Sequence, residues 1–239
     1  MWDRRDGEML AELSVAADIA DVVYTADGEN IVVGERSGTL FQVDADTLEP
    51  SSAQVRLHHP IAGVVASPDG RSALVLHEGE WIAAVDLAGG SVLYTRNLGF
   101  GAKHADISPD GRLVAVVCES GEVGVLDIES GRWLRAPVLS GDNVAEVAYA
   151  PDGATFVGTG LGGTVSLWDG RTNTLLATAR RSQTTWAAVE FLPRRSHRGH
   201  RGARRRRPHL GHPSRHLGRV RLHGGGPEPH HRRVARCFR

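Results

Sequence analysis

Between His104 and Leu139 the chain reads HADISPDGRLVAVVCESGEVGVLDIESGRWLRAPVL. Short apolar runs alternate with three Gly-containing turns: Pro109-Asp110-Gly111, Ser120-Gly121 and Ser130-Gly131. An Asp-Gly pair suits a tight hairpin, because Gly takes positive φ without steric penalty and Asp tolerates it. Pro109 presets the turn and ends the strand before it. The runs LVAVVC and EVGVLD are rich in Val and Leu, as strands buried on both faces should be. The last run, WLRAPVL, is more polar, as an outer edge strand should be. The stretch therefore reads as four antiparallel strands laid down one after another.

The unit recurs. Asp-Gly pairs follow a short apolar run at Asp27-Gly28, Asp69-Gly70, Asp110-Gly111 and Asp152-Gly153, at spacings of 42, 41 and 42 residues. A second series closes another apolar run with an Asp, at Asp3, Asp44, Asp86, Asp127 and Asp169, spaced 41, 42, 41 and 42 residues apart. Two independent markers sharing one period define a repeat. Four strands per unit of about 40–45 residues are the signature of a β-propeller blade. The predicted fold is all-β: a partial β-propeller of four four-stranded blades plus one strand of a fifth, followed by a disordered basic tail. The units span roughly 15–57, 58–99, 100–140, 141–182 and an incomplete 183–193.

Over residues 1–193 the sequence resembles the WD-repeat (WD-40) family. Ser67-Pro68-Asp69-Gly70, the same four residues at Ser108–Gly111, Ala150–Gly153 (APDG), Gly163–Asp169 (GTVSLWD) and the pair Trp2-Asp3 carry the resemblance. Asp44, Asp86, Asp127 and Trp168-Asp169 mark the blades. The pattern departs from the family in two places. No Gly-His pair precedes the first strand of a unit. Ser37, Ser120 and Gly162 stand near the turn where the family carries an acid. Trp168 is therefore expected to lack the hydrogen-bonded partners of a standard blade. The Asp residues of the Asp-Gly pairs are read as structural turn positions, and Trp81, Trp133 and Trp186 as packing between blades, with a partner surface as the alternative.

The formal net charge is zero, with 28 basic and 28 acidic side chains. That balance hides a split. Residues 1–193 carry 13 basic and 27 acidic side chains, a net of −14. Residues 194–239 carry 15 Arg and one acid, Glu228, a net of +14, together with eight of the twelve His. The fifth unit starts with WAAVEFLP (Trp186–Pro193), and the pattern stops at Pro193. Read one base later, codons permitted for Arg194–Arg215 can spell DGHTVVIAGRDGGVHTWDTR. This string supplies the two strands and two turns that are missing, with an Asp-Gly pair at positions 194 and 195 and a Trp-Asp pair at 210 and 211. The tail is accordingly read as frameshifted. The ending recovered in the same way resembles the close of WD-repeat sensor domains in large actinobacterial regulators.

Several classes fall away on composition. No apolar run approaches the roughly 20 residues of a membrane span, and the charged opening MWDRRDGEML is no signal peptide. Cys118 and Cys237 are the only cysteines, too few for a disulfide framework or a zinc cluster, so a reducing cytoplasm is expected. The His pairs His197/His200, His209/His212 and His230-His231 sit among Pro208, Pro213, Pro227, Pro229 and Gly224–Gly226, which break any helix that could align them. His58, His59, His77 and His104 fall beside no repeated Ser, Cys or carboxylate pattern. No catalytic, cofactor-binding or metal residue is assigned.

The family resemblance implies a non-enzymatic scaffold or sensor that binds another protein. Two alternatives stay open. One is a transcriptional or signalling regulator that touches nucleic acid non-specifically through the Arg tail, Arg204–Arg207 above all. The other is a lactonase- or hydrolase-like propeller enzyme. No membrane contact is expected, whereas self-association through open sheet edges is.

Overall fold

Val-, Leu- and Ala-rich runs without helical periodicity favour strands wherever both faces can be buried. In the computed structural model of the chain they do so throughout. The structure describes residues 7–9, 12–13, 15, 17–139, 142–180, 186–192 and 219–224. Trp2 and Asp3 lie outside the described residues, as do residues 193–218 and 225–239 of the tail.

Blade 1 comprises β1 (Ile19–Tyr24), β2 (Asn30–Glu35), β3 (Thr39–Asp44) and β4 (Val55–Arg56). Blade 2 comprises β5 (Ile61–Ala66), β6 (Ser72–His77), β7 (Trp81–Asp86) and β8 (Ser91–Asn97). Blade 3 comprises β9 (Ala102–Ile107), β10 (Leu113–Cys118), β11 (Val123–Asp127) and β12 (Arg132–Val138). Blade 4 comprises β13 (Val144–Tyr149), β14 (Thr155–Gly160), β15 (Thr164–Asp169) and β16 (Leu175–Arg180). Each is an antiparallel sheet in sequence order. The first strands β1, β5, β9 and β13 lie next to one another, and β17 (Trp186–Leu192) continues the row beside β13.

β17 pairs with β18 (Arg219–Gly224), for example Val189 opposite Leu222. The RVRLH run of that segment alternates long and branched side chains well enough to take the position beside β17, where the sequence offers no second strand of its own.

The core lies between sheets, which explains why the middle strands lack polar alternation. On β6, Ala73 and Val75 pack toward blade 1, against Val32 and Leu40. Leu74 and Leu76 point the other way, to Ala105, Val114 and Val116 of blade 3. On β10, Ala115 and Val117 meet Val147, Phe156 and Trp168 of blade 4. Each middle strand thus serves two cores, and full burial of a Val or Leu side chain is worth about 1.5–3 kcal/mol. The upstream face of blade 1 is covered partly from within the chain: Leu13 and Val15 pack on Ile31, Val33, Phe41 and Val43.

Candidate functional site

The repeated Asp residues organise turns. Thr25 Oγ1 donates to Asp27 Oδ1 at 2.6 Å and accepts from the Asn30 amide at 3.0 Å. Ser67 repeats this with Asp69 and the Ser72 amide, at 2.6 and 3.0 Å. Ser108 does so with Asp110 and the Leu113 amide, at 2.6 and 2.9 Å. In blade 4 the hydroxyl position is Ala150, and Asp152 keeps only the Ala154 amide at 3.0 Å. Gly28, Gly70, Gly111 and Gly153 close these turns with φ between 67° and 76°, a left-handed conformation that suits Gly. The hydroxyl bonds hold the carboxyls of Asp27, Asp69 and Asp110 below the usual carboxylate range.

The second Asp series does the same at the hairpins between third and fourth strands. Asp44 accepts from the Thr47 amide and hydroxyl, Asp127 from those of Ser130, and Asp169 from those of Thr172, at 2.6–3.0 Å. Asp86 has Gly89 in place of a hydroxyl residue and takes the Ala88 amide at 3.1 Å. Four residues beyond each Asp stand Leu48, Gly90, Gly131 and Asn173, all at φ between 54° and 62°.

Trp168 is fully buried and stacks on Phe156, with ring centroids 5.3 Å apart. Its Nε1 has no hydrogen-bond partner. Trp133 packs into the core between blades 2 and 3 and donates to the Leu98 carbonyl at 3.2 Å. Trp81 stacks on His59 at 5.0 Å. His77, beside them, is buried, with Nδ1 3.2 Å from the Pro60 carbonyl. Burial pushes the His77 pKa down, against the pull of that carbonyl.

The row of first strands holds the polar groups that the sequence reading did not single out. Asp21 accepts the Val64 amide of the next blade at 2.9 Å. His104 Nδ1 faces the Val147 amide at 3.4 Å, Asp106 takes the Tyr149 amide at 2.6 Å, and Glu146 takes the Val189 amide at 3.1 Å. Each contact spans 43 residues, one repeat and one further position. These side chains join blades where neighbouring first strands make no ladder. His104, which beside its sequence neighbours lacks any acidic pattern, is brought by the fold into the field of Glu146 and Asp21. Burial still lowers its pKa, because desolvation outweighs both carboxylates. Burial also dominates at Asp106, whose carboxyl is pushed up to about 6 despite bonds from the Tyr149 and Ile107 amides. The signal was present only in part: six positions before the Asp-Gly pair stand Asp21, His104 and Glu146, with Gly63 in blade 2, and four positions before it only Asp106 is polar.

Between the turns of blades 2 and 3 lies an open groove of about 390 Å³, lined by Pro68, Asp69, Leu93, Pro109, Asp110 and Glu129 among others. Among the described residues no group of three or more His, Cys, Asp or Glu is placed to hold a metal ion. No helix among them is long and apolar enough to cross a membrane.

No family model matches the chain. A WD repeat-containing protein of Synechocystis sp., itself uncharacterized, is 28% identical over 181 residues, 73% of this chain and 51% of that protein. The chain thus spans about half the length of that relative. The β-propeller domain of Myceliophteria thermophila Cps50 (Swd1) superposes with a TM-score of 0.68 at 16% identity, covering 77% of this chain and 61% of the other. A hydrazine synthase chain of Kuenenia stuttgartiensis gives 0.65 at 18% identity, over 76% and 55%. At such identities the two structures speak for the fold alone. Sheet topology, the Ser-Pro-Asp-Gly turns and the sequence relative agree: the chain is similar to a WD repeat-containing protein, and its four sheets are β-propeller blades.

Proposed function

We propose that the chain is a non-enzymatic propeller scaffold or sensor segment that holds another protein through its loops and outer strands. The use made of the repeated carboxylates carries this reading. Asp27, Asp69, Asp110 and Asp152 are each engaged by their own turn. The outer strands also turn apolar side chains outward among polar ones: Val92 and Leu93 on β8, Leu134 and Val138 on β12, Leu175 and Leu176 on β16. Exposed apolar side chains rimmed by polar ones suit a protein partner. The groove beside Leu93, rimmed by Asp69, Asp110 and Glu129, suits a segment with an apolar anchor next to a basic residue. The test places a photo-crosslinking residue at Glu129 of the full chain. A discrete crosslinked species that disappears with Leu93→Asp supports the reading; crosslinks indifferent to that change count against it. Turnover of lactone or ester substrates with added divalent metal would favour an enzyme instead.

The tail carries a second reading. Its 15 Arg in 46 residues supply the charge for non-specific contact with nucleic acid in a regulator. Replacing Arg204–Arg207 with Ser should then weaken DNA binding and flatten its salt dependence. We favour an out-of-frame origin for residues 194–239, supported by the halt of the repeat at Pro193 and the charge reversal beyond it. Coding DNA across Pro193–Arg194 that cannot supply the alternative frame removes this idea. A cytoplasmic location is supported by Cys118, a buried free thiol.

A further inference from the structure

We propose that Phe100 and Glu119, at the junction of blades 2 and 3, form a docking point for an arginine side chain of a partner polypeptide. The inference goes beyond the groove beside Leu93. β9 starts next to Phe100 and ends at the turn of Asp110, so the two sites lie at opposite ends of the blades.

The repeat defines the position. The residue that follows each second strand donates its amide to the loop before the first strand of its own blade. Arg36 donates to the Asp18 carbonyl, Glu78 to that of Pro60, Glu119 to that of Gly101 and Leu161 to that of Asn143, at 2.8–3.0 Å. These four residues are thus equivalent, one per blade, at the same end of the strands. Neighbours in the series can reach one another. Arg36 Nη1 of blade 1 stands 2.8 Å from Glu78 Oε1 of blade 2, with the side chains 58% and 52% exposed. At that junction the molecule itself shows a guanidinium held by the carboxylate of the next blade.

The next junction has the carboxylate without the cation. Glu119 is exposed, its neighbours in the series are Glu78 and Leu161, and its carboxylate takes no hydrogen bond or ion pair among the described residues. Its side chain lies across Gly101, where an added Cβ would stand 2.5 Å from Glu119 Cδ. Gly101 follows Phe100, which is 41% exposed. A bare carboxylate beside an open aromatic ring matches arginine. The planar guanidinium pairs with a carboxylate through two parallel N–H donors, while its face and apolar stem lie on the ring. A lysine ammonium brings the charge without the plane. The net charge of −14 over residues 1–193 draws a basic segment toward the blades. Gly101 keeps the two groups together, because any larger residue there pushes Glu119 aside.

The test selects binders of the immobilised full chain from a random peptide library displayed on phage. Recovered peptides should share an Arg beside an apolar residue. Their affinity should fall at least about tenfold with Glu119→Gln, with Phe100→Ala and with citrulline in place of that Arg. Gly101→Ala should weaken them as well, although it leaves both contact groups in the chain. Glu119→Arg should instead prefer the same peptide with Glu at the Arg position. Thermal melts of the Glu119 and Phe100 variants should match the parent, because both side chains are exposed. A selection that yields no Arg-bearing binder overturns the proposal. So do Arg-bearing binders indifferent to Glu119→Gln, and equal affinity with Lys in place of Arg. Binders that respond to Leu93→Asp but not to Glu119→Gln also overturn it, while leaving the groove beside Leu93 standing.

Discussion

Asp106→Asn tests the electrostatics of the junction between blades 3 and 4. The wild-type carboxyl titrates near 6 in the fold, against 3.8 as its ordinary value, because burial opposes the charge more than the Tyr149 and Ile107 amides favour it. The sign follows from proton counting. Between these two values the folded chain binds a proton that the unfolded chain has released, so stability falls as pH rises and levels off above about 6. Integrating the two titrations from pH 4.5 to pH 8 gives a loss of about 2 kcal/mol from this one group. Asn keeps an oxygen to accept the Tyr149 amide and has no charge to desolvate. Relative to wild type, the variant should therefore gain about 2 kcal/mol between pH 4.5 and pH 8. The assay is urea unfolding of both proteins at several pH values, reading the difference between them so that all other titrating groups cancel. A difference that stays constant across this range within about 0.5 kcal/mol refutes the reasoning: the carboxyl would then titrate as an ordinary Asp.

Other outcomes follow from single residues. Gly158→Ala should destabilise by about 1–3 kcal/mol in chemical unfolding, because the new Cβ would meet Trp168 Cζ3 at 2.8 Å and Val144 Cγ1 at 3.0 Å. Trp168→Phe should cost less than about 2 kcal/mol, since losing ring volume is offset by removing a buried N–H without an acceptor; Trp168→Ala should cost about 3–5 kcal/mol, and equal losses for the two would contradict this account. Asp110→Ala should cost about 1 kcal/mol through loss of the Ser108 and Arg112 bonds, and Asp152→Ala less, because Ala150 offers no hydroxyl; denaturation midpoints of the pair decide it.

Much of the architecture was legible because a propeller repeats. Asp-Gly pairs 41–42 residues apart fix turn chemistry locally, and Val-rich runs between them fix strands. The absence of an acid near Gly162 already implied a Trp168 without its usual partners, and the indole N–H is indeed buried without an acceptor. Other features were hidden by the same locality. Leu48 shares a left-handed turn position with Gly90, Gly131 and Asn173, and nothing about a Leu announces that backbone. His104 gains its acidic surroundings only across a blade junction.

The sequence by itself determined period, strand order within each unit, turn geometry and the charge reversal near residue 193, because each depends on residues close together in the chain. Tertiary structure alone decided what the first strands do. Their polar side chains bond amides 43 residues away, burial raises one carboxyl to about 6, and the position five residues before the Asp-Gly pair is buried in blades 2–4 (Val64, Ala105, Val147) but half exposed at Val22 of blade 1. Those outcomes depend on which surface stands opposite, and a local pattern repeated in every unit cannot say which surface that is.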